Sequence, residues 1–262
     1  MPRPIITLSS DFGTSDHYAG VIKGVILGIC PMAEMVDITH EITPFEVTEG
    51  AFTIAQVYPY FPKQTIHVVV VDPGVGTSRR PILVEAAGQY FIGPDNGVLA
   101  MVYEREKSKV RELTNEKYFR QPVSRTFHGR DIFSACAAHL ANGVKPATLG
   151  KLIHDHLRPL FMKPTRSGKR TWSGAILKID HFGNLITNFH LDEFPDLKLR
   201  PVEVQAGLCT IRRIALTYAA TEPEEVFAII GSSGYLEISM NQSSAAKQLG
   251  CGIGAPVDLT FF

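Results

Sequence analysis

An aspartate and an arginine stand seven residues apart at the end of an apolar run. Residues 66–71 are rich in β-branched side chains and predict a buried strand, and Asp72 follows them directly. A glycine-containing turn then leads to Arg79. Parallel sheets bind ligands at the carboxyl ends of their strands, so this pair predicts an active site. The alternative is a loop salt bridge, and the neighbouring Arg80 leaves open which arginine takes part.

Two further aspartates, Asp11 and Asp16, follow the first predicted strand, residues 5–9. Asp11 lies at the tip of that strand, where a carboxylate can accept two hydrogen bonds from a ribose diol. Asp16 lies just before a predicted helix, and it or Ser15 could serve only to cap that helix. Asp11 is therefore the stronger functional candidate.

A histidine, His128, directly follows the aromatic Phe127 and precedes a predicted helix over residues 129–142. A lone histidine is more often structural than catalytic. Its place at a helix start favours a role at the same sheet edge as Asp72. The positive end of the helix dipole disfavours an imidazolium, so we expect His128 to be neutral.

A fourth group of polar residues lies in the second half of the chain. Asp180 and Asn184 bracket a glycine turn, and residues 231–237 and Asn241 form similar patterns. Plain turns contain the same residue types, which leaves a purely structural role open. Metal-binding patterns are weak, with no HExxH and no Cys/His cluster, so we expect no metal site.

The elements that must position these residues are of two kinds. Up to about residue 160, strand-like and helix-like segments alternate, which predicts a largely parallel sheet with helices on both faces. A polar stretch with Pro and Gly follows residue 163 and is typical of a linker. Beyond it, short alternating segments predict a small antiparallel barrel or sandwich. We therefore predict an α/β domain over residues 1–163 and a smaller β-domain over residues 164–262.

Composition excludes several classes of partner. The chain has 26 basic and 26 acidic residues, so no overall field attracts nucleic acid or a membrane surface. Its apolar runs are shorter than the roughly 20 residues of a membrane span. The four cysteines are widely spaced, as scattered thiols in a reducing compartment would be. We expect a cytoplasmic protein that acts on a small molecule.

Taken together, these segments resemble the S-adenosylmethionine hydroxide adenosyltransferase family, adenosine-forming hydrolases related to fluorinating and chlorinating enzymes. The matching motifs include SSDFGTSDHYAG, VVVVDPGVGTSRR, IGPDNGVL, TFHGRDIF, IDHFGNLITN and GSSGYLEIS. The resemblance implies an N-terminal three-layer α/β domain with a mostly parallel sheet and a C-terminal antiparallel β-barrel. It also implies a homotrimer with active sites at subunit interfaces, and S-adenosyl-L-methionine as substrate with no cofactor.

The resemblance assigns roles to single residues. The family's Asp–Arg–His triad matches Asp72, Arg79 and His128, which selects Arg79 over Arg80. Its ribose-binding aspartate matches Asp11. Contacts to the methionine and adenine portions of the substrate match seven further positions: Asp16, Phe45, Phe127, Asp180, Asn184, Ser232 and Glu237.

The implied reaction is displacement of methionine from ribose C5′ by water. Halogenating relatives have a tyrosine at the position of Asp72, and fluorinating relatives carry a long insertion after the arginine. This chain runs from Arg80 to Tyr90 without such an insertion, and both differences favour water. The alternatives are a chlorinase that forms 5′-chloro-5′-deoxyadenosine, a non-catalytic protein that binds adenosyl ligands, and a metal-dependent hydrolase.

Overall fold

In the computed structural model, which describes residues 3–159 and 163–262, the chain divides into two units. The first unit comprises residues 1–159 and the second residues 160–262. Each is described by itself below. The domain boundary predicted after residue 163 stays a prediction.

The first unit contains a seven-stranded sheet within its described residues. In chain order, its strands are β1 (Ile5–Ser10), β2 (Glu34–Thr39), β3 (Ile66–Val70), β4 (Pro81–Ala86), β5 (Gln89–Pro94), β6 (Ser108–Leu113) and β7 (Gly150–Ile153). Their spatial order is β2-β1-β3-β5-β4-β6-β7. Strands β2, β1, β3 and β5 are parallel, whereas β4, β6 and β7 pair antiparallel. The sheet is thus parallel-rich with an antiparallel half, rather than mostly parallel as predicted.

The first unit also contains five α-helices in its described part. They are α1 (Tyr18–Ile29), α2 (Val47–Val57), α3 (Ala100–Arg105), α4 (Ser134–Ala141) and α5 (Pro146–Leu149). A π-helical turn at Gly129–Phe133 precedes α4, and 3-10 turns lie at Tyr58–Tyr60 and Glu116–Tyr118.

Strand β3 shows why helices cover both faces of this sheet. Successive side chains of a strand point to opposite faces. Val68 and Val70 belong to the apolar cluster that includes Ile22 of α1. Val69 belongs to the cluster that includes Ile54 of α2. A strand buried on both faces reads as a continuous apolar run, which is why the sequence predicts it clearly.

The helix predicted over 129–142 differs from the prediction, because it starts as a π-helical turn and becomes α-helical only at Ser134. The charged stretch after α3 contains β6. Its charges pair across the sheet, since Arg111 Nε donates to Glu85 Oε1 of β4 at 3.0 Å.

The second unit consists mainly of nine strands in its described residues. They are β8 (Thr165–Arg166), β9 (Thr171–Ile179), β10 (Leu185–His190), β11 (Val202–Ala206), β12 (Cys209–Ile211), β13 (Ile214–Ala215), β14 (Val226–Ile230), β15 (Tyr235–Met240) and β16 (Pro256–Phe261). One short helix, α6 (Ala245–Leu249), and 3-10 turns at Pro195–Lys198 and Tyr218–Ala220 complete the elements described there.

These strands form one curled sheet around a main apolar cluster, and a second small cluster consists of Ala215, Phe227 and Ile229. Their order is β12-β11-β16-β9-β10-β15-β14-β13, with β8 paired to β9. All described pairings are antiparallel except that of β13 with β14. The two end strands are not paired with each other in the described residues, so the sheet is a half-barrel rather than a closed barrel. Strands β12 and β13 are separate, with residues 212–213 between them.

No helix in residues 3–159 or 163–262 combines the length and apolar character needed to cross a membrane. The same residues contain no group of three His, Cys, Asp or Glu side chains placed to hold a metal ion.

Candidate active site

Asp72 lies two residues beyond the end of β3, and the turn after it brings Arg79 back to its side. Gly76 has φ of +80°, a left-handed conformation that favours glycine. Thr77 Oγ1 donates a hydrogen bond to the carbonyl oxygen of Gly74 at 2.7 Å and tightens the turn. The length of this turn therefore sets the spacing of seven residues between Asp72 and Arg79.

Arg79 grips Asp72 with two parallel hydrogen bonds. Arg79 Nε donates to Oδ1 at 2.9 Å and Nη2 donates to Oδ2 at 2.5 Å. Only 8% of the Arg79 side chain and 6% of the Asp72 side chain are exposed. Bidentate, shielded pairs of this kind hold a fixed geometry, unlike the exposed loop salt bridge that the sequence left as an alternative.

The neighbouring arginine, Arg80, points elsewhere. Its Nε and Nη2 donate to Asp95 Oδ2 at 3.1 and 2.7 Å. Its Nη1 donates to Asp155 Oδ1 at 2.8 Å. The structure therefore pairs Asp72 with Arg79, the arginine that the family resemblance selects.

His128 joins this pair through Arg79, whose Nη2 lies 2.6 Å from His128 Nδ1. A guanidinium can only donate, so Nδ1 must accept and the neutral ring carries its proton on Nε2. Burial, and then the charge of Arg79, lower the pKa of His128, while Asp72 and Asp131 oppose that shift. Burial and a neighbouring cation thus bias the ring toward its neutral form, as expected.

One donor group of the triad is unused. Arg79 Nη1 is buried and has no hydrogen-bond partner among the described residues. The guanidinium also lies over the ring of Phe133, with Cζ 5.3 Å from the ring centroid. A buried donor without a partner loses the hydrogen bond that water would give it, so the triad keeps one hydrogen-bond donor that the described residues do not satisfy.

Asp11 meets the same sheet edge from the neighbouring strand. Ser10, the last residue of β1, is paired with Val70 of β3, so the residues that follow both strands emerge together. Burial raises the pKa of Asp11, a hydrogen bond from the Phe45 amide lowers it, and the charge of Asp72 raises it. The Phe45 N–H donates to Asp11 Oδ2 at 3.0 Å.

Phe45 is held in an unusual conformation. Its φ is +71° and 71% of its surface is exposed. Non-glycine residues in the left-handed region are uncommon and persist where surrounding contacts fix them. Here the Asp11 carboxylate supplies such a contact by accepting the Phe45 amide hydrogen. The Phe45 ring is exposed to solvent.

The alternative that Asp16 or Ser15 only caps α1 is wrong. The residue at the N-cap position is His17, and no side chain caps the helix there. Asp16 is exposed and lies two residues before α1. Its carboxylate is therefore accessible to a ligand.

Phe127 belongs to an aromatic cluster beside the triad. Its ring centroid lies 5.8 Å from that of Phe12 and 5.3 Å from that of Tyr18, both in edge-to-face geometry. Sequence reasoning missed Phe12 and Tyr18 as candidates. The available signal is that these two aromatics flank Asp11 and Asp16 in the same motif.

In the second unit, Asp180 and Asn184 lie together in the turn between β9 and β10. Asp180 Oδ1 accepts the amide hydrogens of Phe182 and Asn184 at 2.9 and 2.8 Å, and Oδ2 accepts from Asn184 Nδ2 at 2.8 Å. All three residues line a cleft of about 630 Å³, together with Tyr218. Phe182, exposed at 76%, is a further candidate that the sequence reasoning missed.

Glu237 and Ser232 occupy different places in this unit. Burial raises the pKa of Glu237, a hydrogen bond from the Tyr218 hydroxyl lowers it, and Asp180 raises it. Tyr218 OH lies 3.3 Å from Glu237 Oε2, which links Glu237 to the cleft. Ser232 instead lines a separate cleft of about 890 Å³ with Arg200 and Arg212.

Known proteins resemble this chain over almost its whole length. The model of the SAM hydroxide adenosyltransferase N-terminal domain matches residues 6–150, and that of the C-terminal domain matches residues 174–258. An (R)-S-adenosyl-L-methionine hydrolase of Methanocaldococcus jannaschii is 35% identical, over 94% of this chain and 91% of its own. A fluorinase of an Actinoplanes species is 31% identical over 98% of each chain.

A solved structure shares the fold as well. The crystal structure of an uncharacterized conserved protein from Thermotoga maritima has a TM-score of 0.88 and 35% identity, with 97% of this chain and 99% of that one covered. The two family-model matches, residues 6–150 and 174–258, span the regions that contain Asp72, His128 and Asp180. The chain belongs to the SAM hydroxide adenosyltransferase family.

Proposed function

We propose that this protein hydrolyses S-adenosyl-L-methionine to adenosine and L-methionine by in-line attack of water or hydroxide on ribose C5′. The observation that carries the proposal is the buried, unpartnered Arg79 Nη1, beside a carboxylate and a neutral imidazole. A cationic donor in that setting suits a developing hydroxide. The hydrolase names of relatives at 35% identity support the same reaction.

In the proposed step a C5′–O bond forms while the C5′–S bond breaks. The bonding electron pair leaves with sulfur, so the sulfonium becomes the neutral thioether of methionine. A sulfonium is already a good leaving group, and no general acid is needed at sulfur. The difficulty lies in the nucleophile, because bulk water holds its proton up to a pKa of about 15.7.

The three triad residues divide this task. Arg79, charged at any working pH, stabilises the hydroxide as it develops. The acceptor lone pair of His128 is engaged by Arg79, so His128 contributes a donor at Nε2. Asp72 keeps lone pairs beyond its two bonds to Arg79, and we assign it the proton of the water.

Apolar surroundings favour this reaction. Hydroxide and sulfonium combine to neutral products, so charge disappears, and a low dielectric favours such a change. We assign the apolar surface to the rings of Phe127, which precedes His128 in the chain, and Phe45, whose amide binds Asp11. Fixing the water in line with the C–S bond adds the orientational part of the rate.

Substrate contacts follow from the same resemblance. Asp11 binds the ribose diol, and the methionine and adenine portions contact seven residues: Asp16, Phe45, Phe127, Asp180, Asn184, Ser232 and Glu237. We infer that the protein acts in the cytoplasm as a homotrimer, with active sites at subunit interfaces and without a cofactor or metal.

The test is product analysis by mass spectrometry after incubation in oxygen-18 water. We expect the label in the 5′-hydroxyl of adenosine, which identifies both the nucleophile and the carbon attacked. Parallel incubation with chloride should yield no 5′-chloro-5′-deoxyadenosine. Intact substrate after long incubation would instead indicate a binding protein, and loss of activity with a chelator would indicate a metal-dependent hydrolase.

A further inference from the structure

Residues 120–127 form neither helix nor strand, yet they lead directly into His128. The segment also touches the turn that carries Arg79. A Cβ atom on Gly76 would lie well inside van der Waals contact of the Arg125 carbonyl oxygen. Irregular backbone that must hold catalytic groups needs fixed partners, since loops are otherwise more mobile than the elements they connect.

The partner of this segment is Asp131, whose side chain is completely buried. Its Oδ1 accepts from Arg130 Nε at 2.7 Å and from Arg120 Nη1 at 3.2 Å. Its Oδ2 accepts from Arg130 Nη2 and from the Ser124 amide, both at 2.8 Å. The backbone of Asp131 takes part too, because its carbonyl accepts the Arg120 amide at 2.8 Å. One carboxylate thus ties the start and the middle of the irregular segment, Arg120 and Ser124, to the π-helical turn.

The contacts of Asp131 require its side chain to be ionised. Burial alone would raise its pKa, but hydrogen bonds from Arg130 and Ser124 overcome that effect and hold the pKa below its ordinary range. Each of its two oxygens receives two donors. An asparagine in either orientation would direct an NH2 group at two donors, so only an ionised carboxylate satisfies the site.

Asp131 is connected to two active-site candidates, Phe127 and His128, through one intervening residue or through the backbone. It holds the Arg130 guanidinium, which lies 5.2 Å from the ring centroid of Phe127. The amides of Arg130 and Asp131 both donate to the Phe127 carbonyl at 3.2 Å. His128 is the next residue, and the π-helical turn begins directly after it. Fixing the Phe127 carbonyl on the turn therefore fixes the backbone from which the His128 ring projects.

We propose that Asp131 is a positioning residue that orients His128 toward Arg79 and holds the Phe127 ring in place through Arg130. Its catalytic consequence rests on the proposed hydrolase function, whereas its effect on the His128 ring does not. Asp131 touches neither substrate nor reacting atoms in this scheme.

The test compares Asp131→Asn with Glu85→Gln, which removes a part-buried carboxylate–arginine pair elsewhere in the same unit. Imidazole nitrogen NMR reports the tautomer of His128, whose signals are assigned by their loss in His128→Asn. In the native protein we expect a single tautomer with unprotonated Nδ1. In Asp131→Asn we expect a mixture of tautomers and a kcat lower by about 10- to 100-fold. Glu85→Gln should keep the native tautomer and a kcat within about twofold of the native value.

Arg130→Met provides a second variant if Asp131→Asn does not fold. Arg130 is partly exposed, and its loss removes two of the four side-chain hydrogen bonds of Asp131. It should shift the His128 tautomer and kcat in the same direction. An unchanged His128 spectrum in every folded variant, with or without a loss of kcat, would overturn the proposal. If the native protein does not hydrolyse the substrate, the proposed function fails, and the spectrum still tests the positioning.

Discussion

Two glycine turns, one in each unit, present aspartates that look alike in the sequence but are used differently. Asp180 is satisfied within its own turn by two amides and the Asn184 side chain, all within four residues. Asp72 binds Arg79 seven residues away, and Arg79 reaches His128, which is 49 residues further along the chain. The Asp180 turn satisfies its own hydrogen bonds. The Asp72 turn instead brings distant groups together and leaves Arg79 Nη1 without a partner among the described residues. Unused hydrogen-bonding capacity, rather than residue type, separates them.

The sharpest contrast should come from Asp72→Asn. It keeps the size of the side chain but removes the charge that holds Arg79 and the acceptor assigned to the proton of water. We expect kcat to fall by about 10³-fold or more while binding of S-adenosyl-L-methionine, measured by calorimetry, persists. Hydrolysis at the native rate would show that the triad assignment is wrong.

A backbone change in the Asp72 turn should have the next largest effect. Gly76→Ala places a side chain at φ +80° and against the Arg125 carbonyl, so we expect a loss of about 1–3 kcal/mol in the free energy of unfolding and a lower kcat. Gly74→Ala is the matched control. Its added Cβ would lie 3.5 Å from the nearest atoms of Arg79 and Thr77, an ordinary contact. Equal losses from both variants in urea unfolding would contradict the assigned role of Gly76.

The acid limb of the pH–rate profile should report His128. Burial, and then the Arg79 guanidinium that a proton on Nδ1 would face, lower the pKa of His128, so activity should persist below the ordinary histidine pKa of about 6.5 and fall at lower pH. The folded state binds this proton less readily than the unfolded state does. The contribution to stability is therefore present above about pH 6.5 and is lost as the pH falls through the lowered folded pKa.

Denaturant unfolding across that pH range, in the native protein and in His128→Asn, checks the assignment. The free energy of unfolding of His128→Asn should depend less steeply on pH than that of the native protein. Because burial also lowers the pKa of His67, His139 and His156, part of the acid sensitivity should remain in the variant. An acid limb of catalysis at or above pH 6.5 would contradict the neutral-histidine assignment.

The smallest effect should come from Asp180→Asn in the self-satisfied turn. The variant keeps one acceptor oxygen for the turn amides, so we expect a loss of about 0.5–1.5 kcal/mol in stability. KM should rise by less than about tenfold with kcat nearly unchanged, as for a group that only binds substrate. A loss of kcat comparable to that of Asp72→Asn would mean that the two turns do not differ as described.

Local patterns in the sequence predicted the residues at strand tips. The apolar run before Asp72 and the position of Asp11 after the first strand placed both at one sheet edge, and the pairing of β1 with β3 brings them there. The link to His128 is different in kind. Its place at a helix start made it a candidate, but its contact with Arg79 spans 49 residues, and only the family resemblance joined the two residues in one triad.

Other features depended on tertiary contacts that no local pattern encodes. Strand β6 is masked by charges that pair across the sheet, such as Arg111 with Glu85. Asp131 looks like an ordinary polar helix residue until the irregular segment folds back onto it. The cap reading of Asp16 failed because His17 occupies the N-cap position of α1.

The strand order gives the turn after Asp72 a mechanical character. Strand β5 lies between β3 and β4, so the chain that leaves β3 must cross the carboxyl end of β5 before it enters β4. This connecting segment is held at both ends by strands of one sheet. Arg80, near its end, also forms an ion pair with Asp95, just beyond β5. The segment is therefore anchored at two points, unlike a loop that can swing about a single hinge. Because a segment held at both ends moves less than a free loop, we expect Asp72 and Arg79 to keep their positions when substrate binds.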